Sequence, residues 1–178
     1  MKKKESCLKD AIAIAMKVLS RKPNVVFLGE NIINSKRIYG TLNEVPLNKC
    51  IEMPVCENLI AGVAIGLALE GWRPVCIFQR MDFMFIAADA IINHACVFPK
   101  LNSSVKLPII FRTIKADLNQ QFYVGHQHSK DLTHVFSPYL PVFQIPEEHP
   151  KEVYEKVWKM NEPVLVVEDY AQFNKRIN

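Results

Sequence analysis

Six short apolar runs separated by stretches of helical period constrain the fold of this chain more than any other feature. Val25–Leu28, Cys50–Met53, Pro74–Phe78, Pro108–Phe111, Val142–Ile145 and Val164–Glu168 are too brief for buried helices and largely lack the polar alternation of a half-exposed strand. That is the pattern of strands covered on both faces, as in a parallel sheet. Between them, Leu8, Ile12, Ala15, Met16 and Leu19 recur at helical spacing after Ser6, which is placed to cap the helix, and Pro23 marks its end. Further helices are expected over about Glu57–Glu70, Phe83–Val97, Lys130–Phe136 and Pro150–Met160, with Gly71 at the C-cap of the first of these. Strands alternating with helices imply right-handed crossovers. The expected fold is therefore α/β, a three-layer sandwich around a mostly parallel six-stranded sheet.

The 178 residues, 49% of them hydrophobic, suffice for one well-buried domain, and no repeat, low-complexity tract or linker divides them. A single domain over residues 1–178 is expected. The net charge of +4 comes partly from Lys2, Lys3 and Lys4 at one end and Lys175 and Arg176 at the other. Basic ends without interleaved aromatics argue against a nucleic-acid surface. Five cysteines, with no C-x-x-C spacing, fit buried thiols in a reducing cytoplasm better than disulfides or zinc. No apolar run approaches the ~20 residues of a membrane span, so a soluble cytoplasmic protein is expected.

Open parallel sheets bind ligands beyond the carboxyl ends of their strands. Four segments occupy such places: Gly29-Glu30, Pro54 to Glu57, Gln79 to Phe85, and Gly125-His126-Gln127-His128-Ser129. Glu57 opens a helix whose face carries Leu59, Ile60, Val63, Ala64 and Leu67. Spacing alone reads Glu57 as an acid favoured by the helix dipole, by about 0.3–1 kcal/mol, before any functional role. Ala61, Gly62, Gly66 and Ala68 form a small-residue stripe that admits close approach of a partner chain or of the sheet. Met81, Phe83, Met84 and Phe85 read either as core or as an apolar wall for a flat heteroaromatic ring. His126 and His128 suit surface positions or proton handling near neutral pH; with no third ligand evident, no metal site is assigned to the chain. The phosphate-loop, G-x-G-x-x-G and G-x-S-x-G motifs are absent.

Taken in order, Val25 to Glu30, the block Met53 to Val75, Asp82-Phe83, Asp89 to Asn93, Leu107 to Arg112 and Gly125 to Ser129 resemble the pyrimidine-binding domain of transketolase-like thiamine diphosphate enzymes. The similarity is closest to the N-terminal domain of the 2-oxo acid (pyruvate) dehydrogenase beta subunit, and the Met53–Val75 block is its specific part. The resemblance implies thiamine diphosphate as cofactor. Glu57 would then be the carboxylate that hydrogen-bonds the cofactor's pyrimidine and begins the proton relay activating its thiazolium carbon. Phe83 would pack against the pyrimidine, Val55 and Gln79 would lie at neighbouring cofactor contacts, and His128 would be a second catalytic residue, with weaker support for His126.

Beta subunits of that family continue into a second, C-terminal transketolase-like domain, which this chain is expected to lack. The Gly-Asp-Gly motif that holds Mg2+ and the diphosphate in the superfamily is absent too. The expectation is a split enzyme: an alpha-like partner chain holds Mg2+ and diphosphate in an alpha2beta2 heterotetramer. Such an enzyme cleaves a 2-oxo acid or ketose and transfers a two-carbon acyl or ketol unit. The alternatives are the beta subunit of an oxidative 2-oxo acid dehydrogenase and a non-catalytic regulatory subunit that retains the fold.

Overall fold

The structure is a computed structural model that describes residues 7–34, 36–116, 127–147 and 149–176. Its strands are β1 (Val25–Gly29), β2 (Cys50–Glu52), β3 (Arg73–Phe78), β4 (Ile110–Lys115), β5 (Val142–Ile145) and β6 (Val164–Asp169). They form one sheet in the order β2-β1-β3-β4-β6-β5, and every pairing is parallel. The helices are α1 (Leu8–Leu19), α2 (Glu57–Leu69), α3 (Met81–Ile86), α4 (Phe98–Leu101), α5 (Thr133–Phe136) and α6 (Pro150–Trp158).

Strand side chains alternate between faces, and the two apolar clusters divide accordingly. Val25, Phe27, Val75, Ile77, Val164 and Val166 pack with α1 and α6. Leu28, Cys76, Phe78, Phe111, Leu165 and Val167 pack with α2, α3 and the segments near them. The sheet is thus buried on both sides, which is why its strands read as continuous apolar runs.

Four expectations shift, the simplest being the helix expected over Lys130–Phe136, which starts only at Thr133. The first helix begins behind Cys7, whose side chain makes no cap bond, while Ser6 lies outside the described residues; the helix ends at Leu19, before Pro23. The single helix expected over Phe83–Val97 is broken: α3 stops at Ile86, a π-helical turn spans Ala90–Ala95, and α4 follows with Pro99 in its first turn. The buried pairs Ala90/Ala95 and Ile91/Cys96 are five residues apart, the period of i→i+5 bonding, and Cys96 N–H donates to Ile91 O at 3.0 Å. Strand β4 starts at Ile110 rather than Pro108 and runs four residues past Phe111.

The connections place a crevice. From β1 the chain passes to β2 on one side, and from β3 it passes to β4 on the other. Adjacent strands whose connections leave in opposite directions open a ligand site at their carboxyl ends. Here those ends are Gly29-Glu30 and Phe78-Gln79. A Cβ at Gly29 would stand 2.5 Å from Ile77 O, so β1 approaches β3 as closely as it does only with glycine there.

Candidate active site

Helix α2 delivers Glu57 to this crevice. The chain leaves β2 through a tight turn, with Cys56 N–H donating to Pro54 O at 2.8 Å, and Glu57 enters the first helical turn, where the dipole favours an acid. Its neighbours diverge sharply: Glu57 is 8% exposed, whereas Val55 is 73% exposed. Glu57, Glu30, Gln79 and Phe83 line a recess over Ile60 and Ile77. Gln79 is tethered across the crevice by its side-chain amide, which donates to Glu30 O at 3.4 Å.

His128 joins the site through Phe83. Their rings meet edge to face with centroids 4.7 Å apart. Leu132 N–H donates to Met81 Sδ at 2.9 Å, which docks the segment carrying His128 onto α3. His128 sits in the left-handed region at φ 58°, a conformation that non-glycine residues adopt at a cost and that recurs at functional sites. Its Nδ1 is buried without a hydrogen-bond partner among the described residues. Of the residues singled out in the sequence, the structure therefore gathers Glu57, Gln79, Phe83 and His128. Val55 stays outside the recess on the exposed turn, and His126 lies outside the described residues.

The outer side of α2 is unusually bare of polar groups. Leu59 is exposed, and a Cβ at Gly62 or Gly66 would meet nothing within 4 Å. The expected small-residue stripe is thus divided: Gly62 and Gly66 face away from the sheet, while Ala61 and Ala68 are buried against it. Val55, Phe85 and Ile86 are exposed as well.

A family model for the transketolase pyrimidine-binding domain matches residues 8–103, more than half of the chain. The chain belongs to the transketolase pyrimidine-binding domain family. Among curated relatives, the mitochondrial pyruvate dehydrogenase E1 component subunit beta of Drosophila melanogaster is 32% identical over 76% of this chain and 40% of its own length. The corresponding subunit of Homo sapiens is 29% identical over 93% of this chain and 48% of its own length. A solved split-gene transketolase, an inactive beta4 tetramer, has a TM-score of 0.71 and 20% identity over 94% of this chain and 52% of that one, a likeness of fold. The chain thus spans about half the length of the curated relatives it matches.

Within this pyrimidine-binding domain, Glu30 is the recess residue to which the sequence assigned no role. The segment Gly29-Glu30 stood out only by following the first strand; nothing in the sequence showed that its carboxylate shares a recess with Glu57. Burial raises the Glu30 pKa, and the nearby carboxylates of Glu57 and Glu52 raise it further. Glu52 itself anchors the crevice wall, its carboxylate accepting from the N–H groups of Asn31, Ile32 and Ile33 at 2.5, 3.0 and 2.7 Å.

A raised carboxyl pKa means that the folded chain holds the Glu30 proton more tightly than the unfolded chain does. The destabilisation is absent below the ordinary carboxylate value of 4.5, grows as pH rises through the raised value, and is complete above it. Glu30→Gln is accordingly expected to raise the Tm of the cofactor-free chain at pH 7.5 and to leave it unchanged at pH 4. Thermal unfolding at both values checks this; an equal gain at both would show that charge is not the cause.

Proposed function

We propose that this chain is the pyrimidine-binding subunit of a split thiamine diphosphate-dependent enzyme that cleaves a 2-oxo acid or ketose and transfers the resulting two-carbon acyl or ketol unit. The observation that carries the reading is Glu57: a nearly buried carboxylate, at a topological switch point, sharing its recess with an aromatic ring. The residues present suit the cofactor's pyrimidine. Glu57 offers a carboxylate to a ring nitrogen, Phe83 an aromatic wall, and Ile60 and Ile77 an apolar floor. Thiamine diphosphate, when bound, supplies the nucleophilic carbon and the electron sink. Glu57 holds and returns a proton at the pyrimidine, Gln79 fixes the crevice wall, and His128 handles protons on the substrate side of Phe83.

The diphosphate and Mg2+ belong, in this reading, to an alpha-like partner, and the working unit is an alpha2beta2 heterotetramer. Exposed Val55, Leu59, Phe85 and Ile86 around α2 and α3 suit an interface with that partner. The five free thiols suit a reducing, cytoplasmic setting. The named relatives favour a second reading, the beta subunit of an oxidative 2-oxo acid dehydrogenase; transfer to lipoamide rather than to a carbonyl acceptor would distinguish it.

The direct test is to isolate the tagged chain with its co-purifying partner, add thiamine diphosphate and Mg2+, and measure cofactor retained after gel filtration together with pyruvate and fructose 6-phosphate consumption. Retained cofactor and turnover of either compound are expected. A complete, folded assembly that retains no cofactor would overturn the proposal.

A further inference from the structure

The recess contains a second carboxylate, Glu30, whose aim is set from outside the recess. Asn31 follows it in the left-handed region at φ 57°, a conformation that asparagine visits more readily than most residues but still at a cost. From there the Asn31 side-chain amide donates to Glu30 Oε1 at 3.0 Å, while the Glu30 carbonyl accepts from the Gln79 amide. Ile32, next in the chain, is fully buried and packs into the cluster on the α1 and α6 face.

Glu52 holds this turn in shape. It ends β2 and pairs with Gly29 of the neighbouring strand, so its side chain reaches the segment just beyond β1. One carboxylate oxygen accepts from Asn31 N–H at 2.5 Å, and the other accepts from Ile32 and Ile33 N–H at 3.0 and 2.7 Å. Three successive amides converging on one anion form a nest, and here the chain's own carboxylate fills it. Such charge-assisted bonds are roughly twice as strong as neutral ones. A glutamine in the same place would offer one oxygen and turn an NH2 donor toward further donors. The turn would then be free to leave its left-handed conformation, and the Asn31 amide would leave Glu30.

We propose that Glu52 is a positioning residue for the proton relay: seated in the nest of residues 31–33, it fixes Asn31 and thereby holds the Glu30 carboxylate beside Glu57. This rests on the thiamine-enzyme reading above. The charges of Glu30 and Glu57 act on one another, so a displaced Glu30 changes the field in which Glu57 gives and takes its proton. The relay lies on the Glu57 side of Phe83, and the donor meets His128 on the other. Loss of Glu52 should therefore slow turnover without weakening donor binding.

The test compares wild type with Glu52→Gln and Asn31→Gly in two settings. In the assembly with its partner, loaded with thiamine diphosphate and Mg2+, kcat and KM are measured with pyruvate and with fructose 6-phosphate. In the cofactor-free chain, the Glu30 side-chain carboxyl is titrated by carbon NMR. Displacement by about 1 Å near a reacting centre can cost about 10²-fold, so Glu52→Gln is expected to lower kcat about tenfold or more, with KM within about threefold. The Glu30 midpoint should fall toward its ordinary value of 4.5, because the Glu52 charge is one of the causes that raise it. Asn31→Gly keeps the left-handed turn and the nest and removes only the amide on Glu30. Its kcat should fall as well, while the Glu30 midpoint rises, because that hydrogen bond lowers it.

Wild-type kcat in Glu52→Gln, or a KM that rises as kcat falls, would overturn the assignment while leaving the enzyme reading intact. So would a loss of kcat in which the Glu30 midpoint does not move, since Glu52 would then serve the fold alone. If the cofactor-loaded wild type consumed neither donor, the enzyme reading would fail and the relay role with it, whatever the titration of Glu30. Should Glu52→Gln not fold, Asn31→Gly carries the measurement: a selective loss of kcat with a raised Glu30 midpoint supports the assignment, and wild-type kcat overturns it.

Discussion

Glu57→Gln, in an assembly with the diphosphate-binding partner, should retain thiamine diphosphate and lose turnover by about 10²–10⁴-fold, the range for removing a positioned acid or base. The substitution keeps size and hydrogen-bonding capacity, so the recess formed with Phe83, Gln79 and Glu30 should still accept the pyrimidine. It removes the carboxyl group that, in the proposed relay, gives the pyrimidine a proton and takes it back. Because Glu57 is 8% exposed, bulk water has little access to take over that exchange. Cofactor content after gel filtration and the initial rate of donor consumption are the two readouts. A variant that binds the cofactor and keeps more than a tenth of the wild-type rate would remove Glu57 from the proton relay. Loss of cofactor and rate together would instead make it a binding residue.

The fold was largely legible because a sheet covered on both faces writes its strands as apolar runs, and five of the six begin within a residue of where the runs predict. The exception is instructive. The run read over Pro108–Phe111 starts instead at Ile110 and continues through Arg112 to Lys115, although a charged residue is a poor candidate for the interior. Arg112 is nevertheless fully buried in the middle of β4, which is tolerable only because Glu168 on β6 faces it; their proximity is a matter of sheet order, which no local pattern encodes. The same limit hid Glu30. Its position after a strand was visible, but its sharing of a recess with Glu57 depends on β1 and β3 lying side by side. The broken helix after β3 shows a different limit: α3 and the π turn are all apolar enough to read as one amphipathic helix, and only the five-residue spacing of the buried pairs betrays the wider turn. Val55 was placed among the cofactor contacts by resemblance, yet the turn before α2 carries it into solvent while burying Glu57 two residues later.

The largest effect on stability is expected from Glu168→Gln. Arg112 Nε and Nη2 donate to the two carboxylate oxygens of Glu168 at 2.9 and 2.8 Å, and the Tyr154 hydroxyl donates to the same carboxylate at 2.7 Å. Burial alone would pull the Arg112 pKa down, and the carboxylate more than reverses that, raising it. With glutamine at 168 the cation stays buried without its counter-charge, and breaking one side of a buried pair costs about 3–5 kcal/mol. At roughly 2–4 °C per kcal/mol for a chain of this size, a fall in Tm of about 10 °C should be plain in thermal unfolding. The double substitution Arg112→Met with Glu168→Leu should be less destabilised than Glu168→Gln, because no charge remains to be desolvated. It should not restore the crevice wall, however. Arg112 Nη2 also donates to Thr41 Oγ1 at 2.7 Å, beside a turn in which Arg37, Ile38, Tyr39 and Gly40 all have positive φ, at 44°, 52°, 55° and 88°. Left-handed backbone costs about 1–2 kcal/mol at each non-glycine residue, so this turn persists only while its anchors hold. The double variant is therefore expected to regain Tm yet show faster amide exchange at Thr41 and Leu42. If it is as unstable as Glu168→Gln, the uncompensated charge is not the cause of the loss, and the geometry of the whole Arg112–Glu168–Tyr154 network must be.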